Sequence, residues 1–302
     1  MTLPFTFDQL QALLLVIDTG SFSLAANHLG ISQPAVSAQI KELERKTAVK
    51  LLERVGRTVG PTAAGVELAG HARALLDLAA EAAELVSDRS GHIRGTVRLG
   101  TGATACLHLL PPLLQHIKMS HPGLHVVVST GNTEDIVRRV ELNTLDLALV
   151  ALPVASRALT VSKALSDDFV AVAAREFSAL PRSVTPLDFA ESPLVLFEPA
   201  ANTRSIVEAW LHSGGVRIRP AMELGSVEAI KEMVAAGLGC SILPKMALTT
   251  ADRKRLQVRP LKPSLSRDLG IVLRQDKPLT RGIQVLVKTI LERTATSRHG
   301  KD

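Results

Sequence analysis

The order of apolar and polar residues near the start of the chain predicts two short helices joined by a tight turn. Ser23 can cap the first helix, because its side chain can accept an unpaired backbone N–H at a helix start. Gly30 can end that helix, since glycine adopts the left-handed conformation at low cost. Val36, Ile40 and Leu43 then recur at helical spacing and predict one buried face of the second helix.

The second helix also has a polar side that suits a nucleic acid. Gln33, Ser37 and Lys41 recur four residues apart beside the buried face. Glutamine and serine can hydrogen-bond base edges, whereas lysine suits phosphates. Ser32 is a candidate cap of this helix, and Pro34 lies in its first turn, where the missing N–H is tolerated. An ordinary helical hairpin with a solvated face is the alternative interpretation of this spacing.

A basic segment with a predicted turn follows the hairpin. Lys46, Lys50, Arg54 and Arg57 lie close together in sequence, around the run VGRTVGPT. A wing of this kind lies beside the recognition helix in winged helix-turn-helix proteins. The basic segment therefore favours DNA binding over the solvated hairpin.

A long helix with a seven-residue repeat is predicted from Thr62 to about residue 88, in a segment without proline. Two apolar series carry the repeat: Leu68, Leu75 and Ala82, and Ala72, Ala79 and Val86. Sustained heptads are typical of a helix–helix seam, here between two chains. Packing of one amphipathic helix on its own domain is the alternative. The polar run SDRSGHIRG then predicts a hinge.

From Thr96 onward, short apolar runs alternate with helical stretches. Strands are predicted for TVRLG, LHVVVST, LDLALV, DFVAVAA, PLVLF, AMELG, CSILP and DLGIVLR. Such alternation predicts α/β structure with largely parallel sheets. Open sheets of this type bind ligands beyond the carboxyl ends of their strands, at the loops that lead into helices.

Four polar loops follow predicted strands in this region: TGATAC at 101–106, GNTED at 131–135, ANTR at 201–204 and GSVE at 225–228. Each leads into a predicted helix, and a helix N-terminus favours negative charge. We therefore expect a small anionic metabolite to bind here. The candidate contacts are Thr101, Thr104, Asn132, Thr203 and Ser226, with Arg204 as counter-charge. Helix capping alone is the alternative for each of these residues.

Composition limits the possible partners and activities. The formal net charge of +6 fits a nucleic-acid partner without requiring one. No apolar run approaches the ~20 residues of a membrane span, and no secretory signal is visible, which predicts a soluble cytoplasmic protein. The chain has no GxSxG, P-loop or HExxH motif and no metal-ligand spacing among its histidines. We therefore expect no catalytic residue, metal or cofactor.

The first 65 residues resemble the DNA-binding domain of LysR-type transcriptional regulators. The matching pieces include the helix from Leu10 to Val16, Gly20-Ser21-Phe22, Ala25-Ala26, the run from Ser32 to Ser37, Leu43-Glu44, Leu51, Arg54, Arg57, Thr62 and Gly65. The resulting candidate DNA contacts are Ser32, Gln33, Pro34, Ser37, Lys41, Arg54, Arg57 and Thr62. Two departures lie at the base of the wing, where Thr47-Ala48 replaces the usual Leu-Gly and Leu51-Leu52 replaces Leu-Phe.

The resemblance implies three parts: a winged helix-turn-helix over 1–62, a linker and dimerisation helix over 63–90, and an effector-binding domain over 91–302. The last part should be a two-lobed α/β domain resembling type 2 periplasmic binding proteins, with lobe I at about 95–163 and 266–302 and lobe II at about 164–265. The family places effector contacts at the first, second and fourth loops. The GNT and NTR segments are similar to those of members that regulate carbon fixation, which favours phosphorylated or sugar-acid effectors.

By the same resemblance the protein should regulate transcription as a homotetramer, a dimer of dimers, whose partners are promoter DNA, a small-molecule effector and RNA polymerase. Two other interpretations remain open. One is a redox-sensing regulator that uses the chain's two cysteines, Cys106 and Cys240, although Cys240 should start a buried strand and behave as a small apolar residue. The other is a solute-binding protein, for which the N-terminal 90 residues would have no use.

Overall fold

The computed structural model describes residues 3–55, 58–87, 93–176, 180–199 and 201–299. The N-terminal domain consists of α1 (Phe7–Thr19), α2 (Phe22–Leu29), α3 (Gln33–Thr47) and an antiparallel wing of β1 (Leu52–Val55) and β2 (Thr58–Pro61). A long linker helix, α4 (Ala63–Ser87), follows it. No helix in these ranges is both long and apolar enough to span a lipid bilayer.

The helical hairpin of α2 and α3 forms largely as its sequence predicts. Val36, Ile40 and Leu43 are buried in the core of the N-terminal domain. Gly30 ends α2 in the left-handed conformation, at φ 66°. The prediction that Ser23 caps α2 is wrong: the helix begins at Phe22, so the side chain of Ser21 accepts the Leu24 N–H at 3.4 Å and Ser23 lies inside the first turn.

Glu44 connects the recognition helix to the base of the wing. Its carboxylate accepts the backbone N–H of Leu51 at 2.9 Å and of Leu52 at 3.3 Å, and it pairs with the Lys50 ammonium at 2.8 Å. Partial burial raises the pKa of Glu44, but these hydrogen bonds outweigh burial, so the pKa lies below its ordinary value. At the end of α3, Ala48 occupies the left-handed conformation at φ 55°, where glycine would be unstrained.

The linker helix α4 packs on its own domain along one side and is exposed along another. Ala69 and Ala72 are buried against Leu10 and Leu14 of α1. Exposed apolar residues lie farther along, with Leu75 at 40% and Leu78 at 47% exposure and Ala82 also exposed. Packing of α4 on its own domain thus accounts for Ala72 of the heptad pattern, whereas pairing with a second chain stays a prediction for the exposed Leu75 and Ala82. The side chain of Val86, a member of one series, lies outside the described part of the structure.

The remaining elements build an α/β domain. In chain order they are β3 (Arg94–Thr101), α5 (Ala103–His108), α6 (Leu110–Ser120), β4 (Gly123–Thr130), α7 (Thr133–Glu141), β5 (Leu147–Ala151), β6 (Leu159–Ala174), a 3-10 turn (Pro186–Phe189), β7 (Leu194–Phe197), α8 (Asn202–Ser213), β8 (Pro220–Leu224), α9 (Val227–Ala235), β9 (Cys240–Pro244), a second 3-10 turn (Lys245–Ala247), α10 (Asp252–Arg255), β10 (Leu256–Pro260), β11 (Ser266–Arg274) and α11 (Arg281–His299).

The strands run in the order β4-β3-β5-β11-β6-β9-β7-β8, with β10 paired to β6. β3 lies between β4 and β5 in a parallel group, and β7 lies between β8 and β9 in another. The antiparallel strands β6 and β11 join the two groups. Each group has its own hydrophobic core, which defines lobe I around β3 and lobe II around β7. The lobe boundaries expected from the family, after about residues 163 and 265, fall inside β6 and just before β11.

Two strand segments have no counterpart in the sequence-based prediction. The first half of β6, from Leu159 to Asp167, reads LTVSKALSD, and most of its side chains are partly or fully exposed. β10 is a short edge strand that pairs only with β6 among the described strands. Neither shows a continuous apolar run, because only some of their side chains enter a core: Leu159 and Ala164 in β6, and Leu256 in β10.

Candidate DNA-binding and effector sites

The predicted DNA contacts of α3 lie on its accessible side. Gln33, Pro34 and Lys41 are exposed and Ser37 is half-buried. Among the described residues, Gln33, Ser37 and Lys41 have no side-chain partner within the protein. Ser32 differs, because its hydroxyl caps α3 and accepts the Ala35 N–H at 3.3 Å. The arrangement leaves a polar strip of the helix free to contact a ligand.

The other predicted DNA contacts lie around the wing. Arg54 is exposed on β1. Arg57 lies outside the described residues. Thr62 is engaged inside the protein, since its hydroxyl donates to the Lys50 carbonyl at 2.7 Å and accepts the Gly65 N–H at 3.1 Å. Its side chain thus joins the wing to the first turn of the linker helix.

A cavity of about 380 Å³ lies between the lobes. All four predicted polar loops reach it, because the loops of both parallel groups face the same cleft. The residues that line it from these loops are Gly102, Ala103, Thr104, Ala105, Gly131, Asn132, Thr133, Ala201, Asn202, Thr203 and Gly225. Three of the six predicted effector contacts, Thr104, Asn132 and Thr203, are therefore brought together at one cavity.

The other three predicted contacts do not line this cavity. Thr101 is fully buried in β3, and its hydroxyl donates to the Leu149 carbonyl at 2.7 Å. Ser226 is exposed at the start of α9, next to the lining residue Gly225. Thr101 thus has a partner inside the sheet, and Ser226 lies just outside the cleft.

Arg204, the predicted counter-charge, is held inside lobe II. Its buried guanidinium donates to the Phe197 carbonyl at 2.6 Å and pairs with Glu208 at 2.5 Å and Glu223 at 3.0 Å. Two carboxylates already neutralise this cation. An i, i+4 partner such as Glu208 is visible in sequence, and it indicates an ion pair along α8 rather than a ligand contact.

Arg267 is the arginine that lines the cavity, and the sequence did not single it out. Its guanidinium donates to the Thr203 hydroxyl at 3.0 Å and to Asp167 at 3.1 Å, and it lies 5.6 Å from the centre of the Phe169 ring. Burial raises the pKa of Asp167 above its ordinary value and outweighs the opposing effect of Arg267 and the Met246 N–H. Arg267 follows the irregular run KPSLS, so no periodicity marks it.

The cavity offers several hydrogen-bond donors to a ligand. Besides Arg267, they include the hydroxyls of Thr104 and Thr203 and the first N–H groups of α5 and α8, two helices whose caps make no side-chain hydrogen bond. Asn132 instead caps α7 by accepting the Asp135 N–H at 2.8 Å. Glu198 is the carboxylate of the lining. The site can therefore hold an anionic group and accept one donor from the same ligand.

The two cysteines are poorly arranged for redox chemistry. Both are free, with Cys106 on α5 in lobe I and Cys240 at the start of β9 in lobe II. Burial raises the pKa of the Cys240 thiol to about 11. Since the thiolate is the reactive form, Cys240 is inert at neutral pH.

Known protein families match both parts of this chain. The LysR substrate binding domain model matches residues 90–295, and the model of the lysR-family bacterial regulatory helix-turn-helix protein matches residues 7–66. The regulator CbbR of Rhodospirillum rubrum is 32% identical over 271 residues, which cover 88% of this chain and 89% of the relative. A RuBisCO operon transcriptional regulator of Allochromatium vinosum is 29% identical and covers 78% of each chain.

The fold agrees with a full-length OxyR variant of Pseudomonas aeruginosa, at a TM-score of 0.78 and 23% identity over 96% of this chain and 95% of that one. Together, the helix-turn-helix, the wing and the two-lobed domain define a DNA-binding transcriptional regulator with an effector-binding domain. The chain belongs to the LysR family of transcriptional regulators. This membership confirms the predicted fold class and favours a regulator over a solute-binding protein.

Proposed function

We propose that this regulator reads promoter DNA through the exposed strip of α3 and its wing, under the control of a small anionic metabolite held in the cleft between the lobes. The proposal for DNA binding is supported by the polar strip of Gln33, Ser37 and Lys41, which is free beside the buried face of α3. The proposal for the metabolite is supported by Arg267, which lines a cavity that four loops leading into helices also reach. In this proposal, Pro34 and Arg54 contact the sugar-phosphate backbone beside the groove.

Base recognition by α3 is tested with Gln33→Ala and Ser37→Ala. Each variant should lose discrimination at the base pair it contacts, by about 1–3 kcal/mol, while binding of unrelated DNA changes little. Lys41→Ala should instead weaken binding across all sequences and lower the salt slope by about one unit if it meets a phosphate. Footprinting and titrations at several salt concentrations measure both effects.

Arg45→Ala is the matched control for Lys41→Ala. It also removes one positive charge from α3, but Arg45 lies in the last turn and already pairs with Glu42 at 2.6 Å. Its effect on the salt slope should be smaller. Unchanged selectivity in both Gln33→Ala and Ser37→Ala would remove the groove assignment.

The effector site is tested by a screen of phosphorylated and sugar-acid metabolites, followed by Thr104→Val and Thr203→Val. Each variant removes one hydroxyl from the cavity lining, so each should weaken a cleft ligand by roughly tenfold, the cost of one hydrogen bond to a charged group. Isothermal titration measures the dissociation constant. Thr160→Val, at an exposed position of β6 outside the lining, is the control. Wild-type affinity in both cleft variants would contradict the assignment.

We also propose that the chain oligomerises through α4. The exposed Leu75, Leu78 and Ala82 provide an apolar surface on which a second linker helix can pack. A dimer places two copies of α3 against two half-sites of DNA, and two dimers make the proposed tetramer. The tetramer then controls access of RNA polymerase to the promoter.

Ligand control follows from the contacts between the lobes. His108 of α5 and Glu228 of α9 lie 3.0 Å apart, so the two helices that follow cleft loops are joined across the lobes. A metabolite that binds one closure state better than another shifts the equilibrium between them. The changed angle between lobes is transmitted through the oligomer to the spacing of the recognition helices.

A further inference from the structure

A second cluster of positive charge lies on lobe II, outside the cleft. Arg175 at the end of β6, Arg253 of α10 and Arg259 of β10 line a surface depression of about 530 Å³. Leu256, Gln257 and Val258 form the rest of its lining. None of these residues lines the cavity between the lobes. The depression is therefore separate from the proposed effector site.

The three guanidinium groups have no acidic partner in the part of the chain that the structure describes. Within the described ranges, no carboxylate lies in ion-pair distance of Arg175, Arg253 or Arg259. Arg255 on the same segment differs, since it pairs with both oxygens of Glu232 at 2.8 Å. Three cations held together without a counter-ion repel one another, and this repulsion is relieved when an anion binds.

Backbone contacts hold two of these side chains at the depression. Arg175 donates through Nη2 to the Arg253 carbonyl at 3.2 Å, and Arg259 donates through Nη1 to the Val258 carbonyl at 3.3 Å. The Nε of Arg259 is buried and has no hydrogen-bond partner among the described residues. Rotation of the Arg259 side chain toward an anion in the depression would give this buried donor an acceptor.

We propose that this depression is a second ligand site, which binds the phosphate group of a small phosphorylated compound. Several guanidinium groups around one pocket match the oxygens of a phosphate, and each can donate two parallel hydrogen bonds. The site lies on β10, the strand paired to the crossing strand β6. A ligand bound there contacts β10 and Arg175, the residue that follows β6, and can act together with a metabolite in the cleft.

Titration of the full-length protein with inorganic pyrophosphate tests this site. In wild type we expect saturable binding that the double variant Arg175→Gln/Arg259→Gln weakens by about tenfold or more. The double variant Arg217→Gln/Arg219→Gln removes the same charge from exposed positions of the same lobe and should change the affinity by less than about twofold. Arg175→Lys keeps the charge but loses the two-pronged geometry, and it should also bind more weakly.

Two further variants separate this site from the cleft and from effects on stability. The cleft variant Thr104→Val/Thr203→Val should retain the binding that Arg175→Gln/Arg259→Gln loses, which separates the two sites. Arg175→Gln alone changes only an exposed side chain, so it answers the question even if the double variant is unstable. The proposal is overturned if wild type shows no saturable binding, or if the Arg217 and Arg219 control weakens binding as much as the test variant.

Discussion

Arg267→Met should lower the free energy of unfolding of lobe II by about 3–5 kcal/mol and abolish ligand binding in the cleft. The stability loss arises because Asp167 is only 4% exposed and loses the guanidinium that neutralises it. The loss of binding arises because the cavity loses its cation and Thr203 loses the donor that orients its hydroxyl. Trp210, the single tryptophan of the chain, packs in the lobe II core and reports unfolding by fluorescence.

The stability of Arg267→Met should also depend on pH in a defined direction. Burial already raises the pKa of Asp167 above its ordinary value, and removal of Arg267 raises it further. A carboxyl whose folded pKa exceeds its unfolded pKa stabilises the fold only while it is protonated. The deficit should therefore shrink as pH falls below the folded pKa and grow as pH rises through it.

The double variant Asp167→Asn/Arg267→Met separates stability from binding. Without a charge at position 167, it should recover most of the lost stability, because the asparagine oxygen can still accept the Met246 N–H. It should not recover ligand binding, since the cavity still lacks Arg267. Wild-type stability in Arg267→Met, or restored binding in the double variant, would contradict the assigned role of this arginine.

Gly65→Ala should destabilise the N-terminal domain by about 3 kcal/mol and abolish specific DNA binding. Glycine to alanine normally stabilises a helix by about 1 kcal/mol. At this position, however, an added Cβ would lie 2.0 Å from the Leu51 carbonyl oxygen and 3.2 Å from the Pro61 side chain. The linker helix and the wing would have to separate, which moves the wing away from α3.

Thermal unfolding and a gel-shift assay measure the two effects of Gly65→Ala. Gly102→Ala is the steric control, because its added Cβ meets nothing within 4 Å; since Gly102 lines the cavity, both variants are compared without effector. The Trp210 fluorescence transition of lobe II should be unchanged in Gly65→Ala, since the substitution lies in the other domain. If Gly65→Ala melted and bound DNA like the control, the close contact of α4 with the wing would be wrong.

The helix-turn-helix was predictable because its determinants are local. The buried face of Val36, Ile40 and Leu43 follows from helical spacing, and Gly30 and Ser32 end and begin helices by their own backbone and side-chain chemistry. The error at Ser23 is a shift of two positions between two serines that can both cap. Local chemistry does not decide which of the two serines caps the helix, because the choice depends on where Phe22 packs.

The position of the cavity between the lobes was predictable, but its charge was not. Four strand-to-helix loops had to meet at one edge, because parallel strands place their carboxyl ends together. Whether a threonine of such a loop faces the cavity depends on where the strand ends: Thr101 is the last residue of β3 and is buried, whereas Thr104, three residues farther on, lines the cavity. No spacing in the sequence distinguishes the two.

The sequence by itself determined the helix-turn-helix, the α/β alternation and the loops that meet at the cleft, because each depends on neighbours within one helix or one strand–loop–helix unit. Only the tertiary structure decided which arginine lines the cavity. Arg204 is neutralised by Glu208 and Glu223, whereas Arg267, 64 residues away from Thr203, reaches the cavity across the pairing of β6 and β11. The charge that a ligand meets depends on partners brought together by folding, and those partners are distant in the chain.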